Sequence, residues 1–402
     1  MNGDSERSAR RTALAIVPGV LLAGVAGGVA FPILPIAGVR AGLPLPFIGA
    51  ILAANRATRV VASPLVGAMA DRFGGRRMLL AGLAVQVVVM LLYALGITTG
   101  HPGPFFLGGR LLHGPGSAGI FVAAQALAIH AGGRAHGGRT AGIVRAAMGI
   151  GVPLGLVAGG LFSDRWGDAA TFDVAMAAMA CAWVVALGLV PDLRVPVRHA
   201  ASLRDVLRAM ADGRLLAVGV LNFAASFAAQ GMVLTTLALV VRERHVALLG
   251  LGDRGSSGLL MGLMIIVEAS VMPVAGRLGD RVHAHARIAL GGMIGLVPAL
   301  VVVALAGNAT HLAIGLACIG LASGALGPSL LALVAEMTPY ERRGMAVGVL
   351  QLCGDVGGTL GPLVGTALFA GSTRTPYLVS AALLASFVPF AVRLARRESA
   401  AH

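Results

Sequence analysis

Gly67-Ala-Met-Ala-Asp71-Arg72-Phe-Gly74-Gly-Arg76-Arg77 returns 209 residues later, in shortened form, as Gly276-Arg-Leu-Gly-Asp280-Arg281. Each copy places a carboxylate and arginines in a short polar stretch between long apolar runs. The same offset separates Pro153 from Pro362, and each proline sits in a glycine ladder: Gly151, Gly155, Gly159 and Gly357, Gly361, Gly365. Spacing of four residues puts each ladder on one helix face, where small residues let two membrane helices approach closely. The chain reads as one half used twice.

Composition says what kind of half. Hydrophobic residues make up 57% and charged residues 12%, whereas about a quarter of the residues in a soluble domain are charged. Mean hydropathy is +0.87. Apolar runs of roughly 20 residues recur, each long enough to cross a hydrocarbon core of about 30 Å. The spans are expected near 13–39, 46–70, 78–99, 103–131, 140–164 and 170–191, then 214–241, 257–275, 288–307, 310–336, 344–370 and 375–394. The N-terminal arginines ahead of an apolar run resemble a signal peptide, but that run is too long for one and reads as the first span. This gives an all-α membrane protein of twelve transmembrane helices: a six-helix bundle over 1–191, a cytoplasmic linker over 192–213 and a second bundle over 214–402. Ser202 is expected to cap a short interfacial helix in the linker. A duplicated bundle with its site at the seam is the architecture of an alternating-access carrier.

All 31 basic residues are arginine, and the net charge is +14. They lie in short loops and form no basic domain, so nucleic-acid binding is set aside. With the N-terminus inside, 21 fall on the inner side, 6 on the outer side and 4 within spans. This bias places both termini in the cytoplasm. The 3 cysteines lie in apolar runs without paired spacing and imply no disulfide framework.

On these residues the chain resembles the major facilitator superfamily over nearly its whole length. Gly67 to Arg77 is similar to the family loop between helices two and three, with Gly75 inserted before Arg76. Arg110-Leu-Leu-His113-Gly114-Pro-Gly116-Ser-Ala resembles the fourth-helix motif, His113 standing for glutamine. Gly151-Val-Pro153-Leu-Gly155 is a looser version of the fifth-helix motif of the proton-linked antiporter branch. The resemblance implies two six-helix halves rocking about a central cavity. It also implies a gating latch formed by Gly67, Asp71, Arg72, Gly74, Arg76 and Arg77, with Asp280 and Arg281 in the second copy.

Ionisable groups inside a bilayer are costly and are the default functional candidates. Here they are Arg56, Arg59, Arg110, Arg145, Glu268 and Asp355, with His113 one turn from Arg110. Arg59, Glu268 and Asp355 each lie 12 residues from an inner-boundary charge, or about 18 Å deep. The family places helix two beside eleven and five beside eight, which suggests an Asp355 pair with Arg59 or Arg56 and a Glu268 pair with Arg145. Such pairs suit proton coupling, since an arginine favours the charged carboxylate and burial opposes it.

The remaining signals carry less. Gly114 to Gly119 matches a dinucleotide loop in letters only, since it follows no strand. No Walker loop, cofactor site or nucleophile–base pair is evident, so an enzyme is not expected. His283-Ala-His285 lacks a nearby third ligand, and the reading there is a solvated loop with no metal. The expectation is a monomeric secondary transporter of the bacterial inner (plasma) membrane, exporting a small organic solute in exchange for protons, with small-molecule substrate, protons and lipid bilayer as partners. The alternatives are proton-coupled uptake of a polar or anionic solute, or a non-transporting scaffold or sensor. Low aromatic content and four intramembrane arginines suggest an anionic or polyhydroxylated solute, with Asn55, Gln125, Asn222, Gln230 and Gln351 as candidate lining.

Overall fold

The computed structural model describes residues 2–192, 210–339 and 342–401, apart from the side chains of 2–10, 71, 133–138, 344, 397 and 399–401. All regular structure among the described residues is helical. That follows from the solvent, because a chain in hydrocarbon must satisfy its backbone internally. Twelve helices among the described residues are long and apolar enough to cross a membrane. They are span 1 (Arg11–Arg40), span 2 (Leu45–Ala70), span 3 (Gly75–Thr98), span 4 (Pro102–Gly132), span 5 (Arg139–Trp166) and span 6 (Asp168–Leu189). The second set is span 7 (Gly213–Glu243), span 8 (Asp253–Val282), span 9 (His285–Leu305), span 10 (Ala309–Met337), span 11 (Met345–Phe369) and span 12 (Thr375–Arg396). The linker helix expected at Ser202 lies outside the described residues.

The chain divides into two compact units, one of Met1–Gly42 with Ala57–Ala200, the other of Leu43–Arg56 with Ala201–His402. The early half of span 2, with Arg56, thus belongs to the second unit, whereas the sequence reading put all of it in the first. Helical backbone runs continuously from Pro102 to Trp166. Even so, Thr140 Oγ1 donates to the Ala128 carbonyl at 2.5 Å, two groups that a straight helix would hold about 18 Å apart. The chain therefore reverses between spans 4 and 5. Gly74 (φ 90°) and Gly167 (φ 87°) make the tight turns from span 2 to 3 and from span 5 to 6 in a left-handed conformation that disfavours other residues.

Within the first unit span 1 lies against span 5 through glycine. A Cβ on Gly155 would land on the Val25 carbonyl, and one on Gly151 would sit 3.1 Å from the Gly24 Cα. Span 3 packs on span 4, where Gly82 meets the Gly116 carbonyl, and also on span 6. The second unit repeats this pairing. Span 11 meets span 7 at Gly361, whose Cβ would lie 2.5 Å from the Gly231 Cα, and span 9 packs on spans 10 and 12. Adding six to each span number in these pairs of the first unit gives the named pairs of the second. The two bundles are pseudo-symmetric.

Arg244, just past span 7, shows how a helix end is closed. Its guanidinium donates to the Val303, Ala304 and Ala306 carbonyls at the end of span 9 and to Thr373 O and Oγ1, all between 2.9 and 3.2 Å. Carbonyls at a helix end lack the usual donor four residues on, and at Val303 the only other backbone donor among the described residues is the Ala306 N–H at 3.4 Å. Arg244→Ala is expected to cost on the order of 2 kcal/mol, seen as a lower melting temperature in detergent. Lysine should not restore it, since one ammonium cannot copy the fork.

Candidate functional site

Span 7 is not uniformly α-helical. Residues Ser226–Val233 form a π-helical segment, the kind of local widening that often marks functional sites in helices. It faces a hollow of about 340 Å³, including open solvent, walled by Asn222, Ala225, Ser226, Ala229 and Gln230 from span 7, Glu268 from span 8 and Ser323, Leu326 and Gly327 from span 10. Glycine brings span 8 in close: a Cβ on Gly324 would come within 2.5 Å of the Glu268 carbonyl. Glu268 and Ser323 both line the hollow at this contact between spans 8 and 10.

Arg56 is the cation of this region. Its Nη2 donates to Gln230 Oε1 at 2.8 Å, and its Nη1 lies 3.9 Å from Asp355 Oδ1 on span 11. Glu268 feels the same guanidinium. At 3.9 Å the Asp355 contact is an ion pair rather than a direct hydrogen bond, and Asp355 accepts a further bond from Gln351 Nε2 at 3.3 Å. The side chains are 18% and 7% exposed, so the pair is largely withdrawn from water. Gly358 provides the room, since a Cβ there would sit 2.8 Å from Arg56 Cζ. Of the two arginines offered for Asp355 by sequence, the second unit contains Arg56. Arg59, half-buried, belongs to the first unit.

The first unit buries a second cationic centre. Arg110 is 0% exposed, its guanidinium 5.1 Å from the centre of the Phe31 ring. Such stacking partly replaces lost hydration. Its Nε and Nη2 have no hydrogen-bond partner among the described residues, nor has His113 Nδ1 one turn on. His113 feels the charges of Arg110 and Arg59. Arg145 on span 5 is exposed.

The loop signatures differ between units. In the first, Arg76 Nη2 donates to the Leu187 carbonyl at 2.6 Å and ties span 3 to the end of span 6. Arg72 lies 5.4 Å from the Phe73 ring centre, Gly67 is buried and Arg77 is exposed. The Asp71 side chain, the expected latch, lies outside the described residues. In the second, Asp280 (78% exposed) lies 3.3 Å from His285 Nε2, with Glu336 at 3.6 Å. Arg281 is exposed. His285 was expected in a solvated loop and instead is buried, because the bare Gly279 surface admits its ring. His283 alone remains exposed.

Comparison with known proteins identifies the architecture. The model of the Major Facilitator Superfamily matches residues 16–291 and 220–402, which together span nearly the whole chain. The chain belongs to the major facilitator superfamily. The transporter is 27% identical over 383 residues to the multidrug resistance protein MdtG of Klebsiella pneumoniae (strain 342), covering 91% of this chain and 89% of that protein. The MdtG of Escherichia fergusonii is 27% identical over 379 residues, covering 91% and 90%. Among solved structures, the human organic anion transporter MFSD10 (TETRAN) aligns with a TM-score of 0.67 at 20% identity, covering 95% of this chain and 99% of that one. The nucleoside transporter NupG aligns with a TM-score of 0.77 at 13% identity, covering 97% and 99%.

The protein is thus a multi-pass membrane transporter of small molecules rather than an enzyme. Sequence reading of the transporter named Asn222 and Gln230 but passed over Ser226 and Ser323. Helical serines in an apolar span carry no distinguishing pattern, and the π segment leaves no mark in hydropathy.

Proposed function

We propose that this transporter exports a small organic solute from a bacterial cytoplasm across the inner membrane in exchange for protons, working by alternating access as a monomer with both termini cytoplasmic. Residues 1–191 and 214–402 act as the two moving bundles and 192–213 as their linker. The observation that carries the reading is Arg56, placed between the Asp355 carboxylate and the Gln230 wall of the hollow while its charge also reaches Glu268. Protonating either carboxylate discharges an attraction on that guanidinium. The cost of burying the cluster then differs between the protonated and ionised forms, and that difference biases a two-state equilibrium. Gln230 belongs both to the hollow wall and to the arginine, so solute in the hollow and a proton on the carboxylate act on one cation. Arg110, His113, Arg59 and Arg145 set the electrostatics of the first bundle. Gly67, Asp71, Arg72, Gly74, Arg76, Arg77, Asp280 and Arg281 form the gate. The name of the MdtG relatives supports export, and the arginine bias supports the orientation.

The test uses inside-out proteoliposomes and a panel of radiolabelled amino sugars, organic anions and planar aromatic drugs. An exporter accumulates its solute when the lumen is acidic, because protons leaving the lumen drive solute in. Accumulation driven by an alkaline lumen would make the protein a symporter. Accumulation indifferent to both gradients would remove proton coupling.

A further inference from the structure

The hollow in the second unit carries a set of polar groups that the fold itself leaves unspent. Asn222 Nδ2 donates to the Leu350 carbonyl at 2.7 Å. A carbonyl can only accept, so the amide is oriented with Oδ1 as its spare group. Gln230 is fixed in the opposite sense. Its Oε1 accepts from Arg56, which can only donate, and its Nε2 donor is left over. Ser323 Oγ is closed off from solvent without a hydrogen-bond partner among the described residues. Ser226 presents a hydroxyl at the same wall, and Glu268 a carboxylate.

The balance of these groups selects a ligand. In its ionised form Glu268 offers two oxygens that accept only, as does Asn222 Oδ1, while Gln230 Nε2 donates only and the serine hydroxyls do both. Acceptors exceed donors, so a complementary solute brings more donors than acceptors. A carboxylate at the wall of a hollow inside the membrane favours a cation there and repels an anion. The remaining wall is alanine, leucine and glycine, with no aromatic side chain to stack on a flat ring system.

We propose that this hollow binds a compact hydrophilic solute carrying a protonated amine on Glu268 and hydroxyl groups on Ser226, Ser323, Asn222 and Gln230. The inference rests on reading the second-unit hollow as the solute site, and it replaces the anionic solute suggested by arginine content. That content misleads because Arg56 is already engaged by Asp355 and Gln230.

Equilibrium binding by the full-length protein in detergent near neutral pH tests the assignment. The probes are glucosamine and galactosamine (amine with hydroxyls), glucose (hydroxyls alone), gluconate (anion) and ethidium (planar aromatic cation). Thermal stabilisation and calorimetric titration are the readouts. At least one aminated probe should bind about tenfold or more tightly than glucose. Glu268→Gln should erase that preference by weakening the aminated probes about tenfold more than glucose, and Glu268→Asp should retain it. Ser323→Ala should weaken aminated and neutral sugars together, by about three- to tenfold. Tightest binding of gluconate or ethidium, stabilisation by no probe, or an amine preference that survives Glu268→Gln would overturn the proposal. Binding needs no pH gradient, so the two readings fail separately. Aminated sugars that bind without coupled flux sink proton exchange alone. Coupled flux of gluconate or ethidium sinks the ligand assignment alone.

Discussion

Asp355→Asn should leave a folded protein that still exchanges solute by counterflow but loses pH-gradient-driven accumulation by about 100-fold or more, a change equivalent to about 2.7 kcal/mol. Asparagine keeps the shape and can still accept from Gln351, but it cannot gain or lose a proton. The arginine makes the companion result informative. Arg56→Ala removes a guanidinium from beside a largely buried carboxylate and should destabilise the protein by on the order of 1–3 kcal/mol. The double variant Arg56→Ala/Asp355→Asn should recover most of that loss, because both charges leave together, and a cycle over the four proteins isolates the coupling. Recovered stability without recovered accumulation would mark a proton site. If Asp355→Asn accumulates solute as well as the parent, the pair only holds span 2 against span 11 and coupling lies elsewhere.

The span count and duplication were legible because the bilayer imposes them. About 20 apolar residues are needed per crossing, and the repeated Asp71 and Asp280 loops mark corresponding ends. Geometry within the membrane was less legible, for reasons that attach to particular residues. Arg56 and Arg59 are three positions apart, about 4.5 Å in depth, and i and i+3 share a helix face, so neither depth nor the helical wheel separates them. Gly358 reads as one more small residue in a glycine-rich helix until the Arg56 side chain is seen lying over it. His285 looked solvated because Glu336 sits on another helix and Gly279 is only a missing side chain in the sequence. Glu398 closes the same region: its carboxylate accepts from the Ala286 and Arg287 backbone N–H groups at the start of span 9. A helix N-terminus favours that negative charge, but a contact across 112 positions leaves no local signal. The hollow was least visible of all. Its walls are the serines, alanines and amides of three helices, and what makes them a site is which of their donors and acceptors the backbone has already used.

The glycine ladders should give the largest effects on folding. A Cβ on Gly155 would meet the Val25 carbonyl, and on Gly361 it would lie 2.6 Å from the Phe227 carbonyl and 2.5 Å from the Gly231 Cα. In both places the obstacle is backbone, which no rotamer change removes, so the two helices must separate along the whole contact. Gly155→Val and Gly361→Val are each expected to cost about 3 kcal/mol or more, enough to abolish recovery of monodisperse protein from detergent. Gly149 and Gly291 provide the control, since a Cβ at either meets nothing within 4 Å. Gly149→Ala and Gly291→Ala should be neutral or stabilising by about 0.5–1 kcal/mol through lower backbone entropy in the unfolded chain. Losses of similar size at Gly155 and Gly361 would follow from the duplication itself, because span 5 on span 1 and span 11 on span 7 are the same interface made twice. If Gly361→Val were tolerated while Gly155→Val were not, the two interfaces would no longer be equivalent. The second bundle would then have to open along its span 7 contact, where the π-helical turn already loosens the backbone beside the hollow.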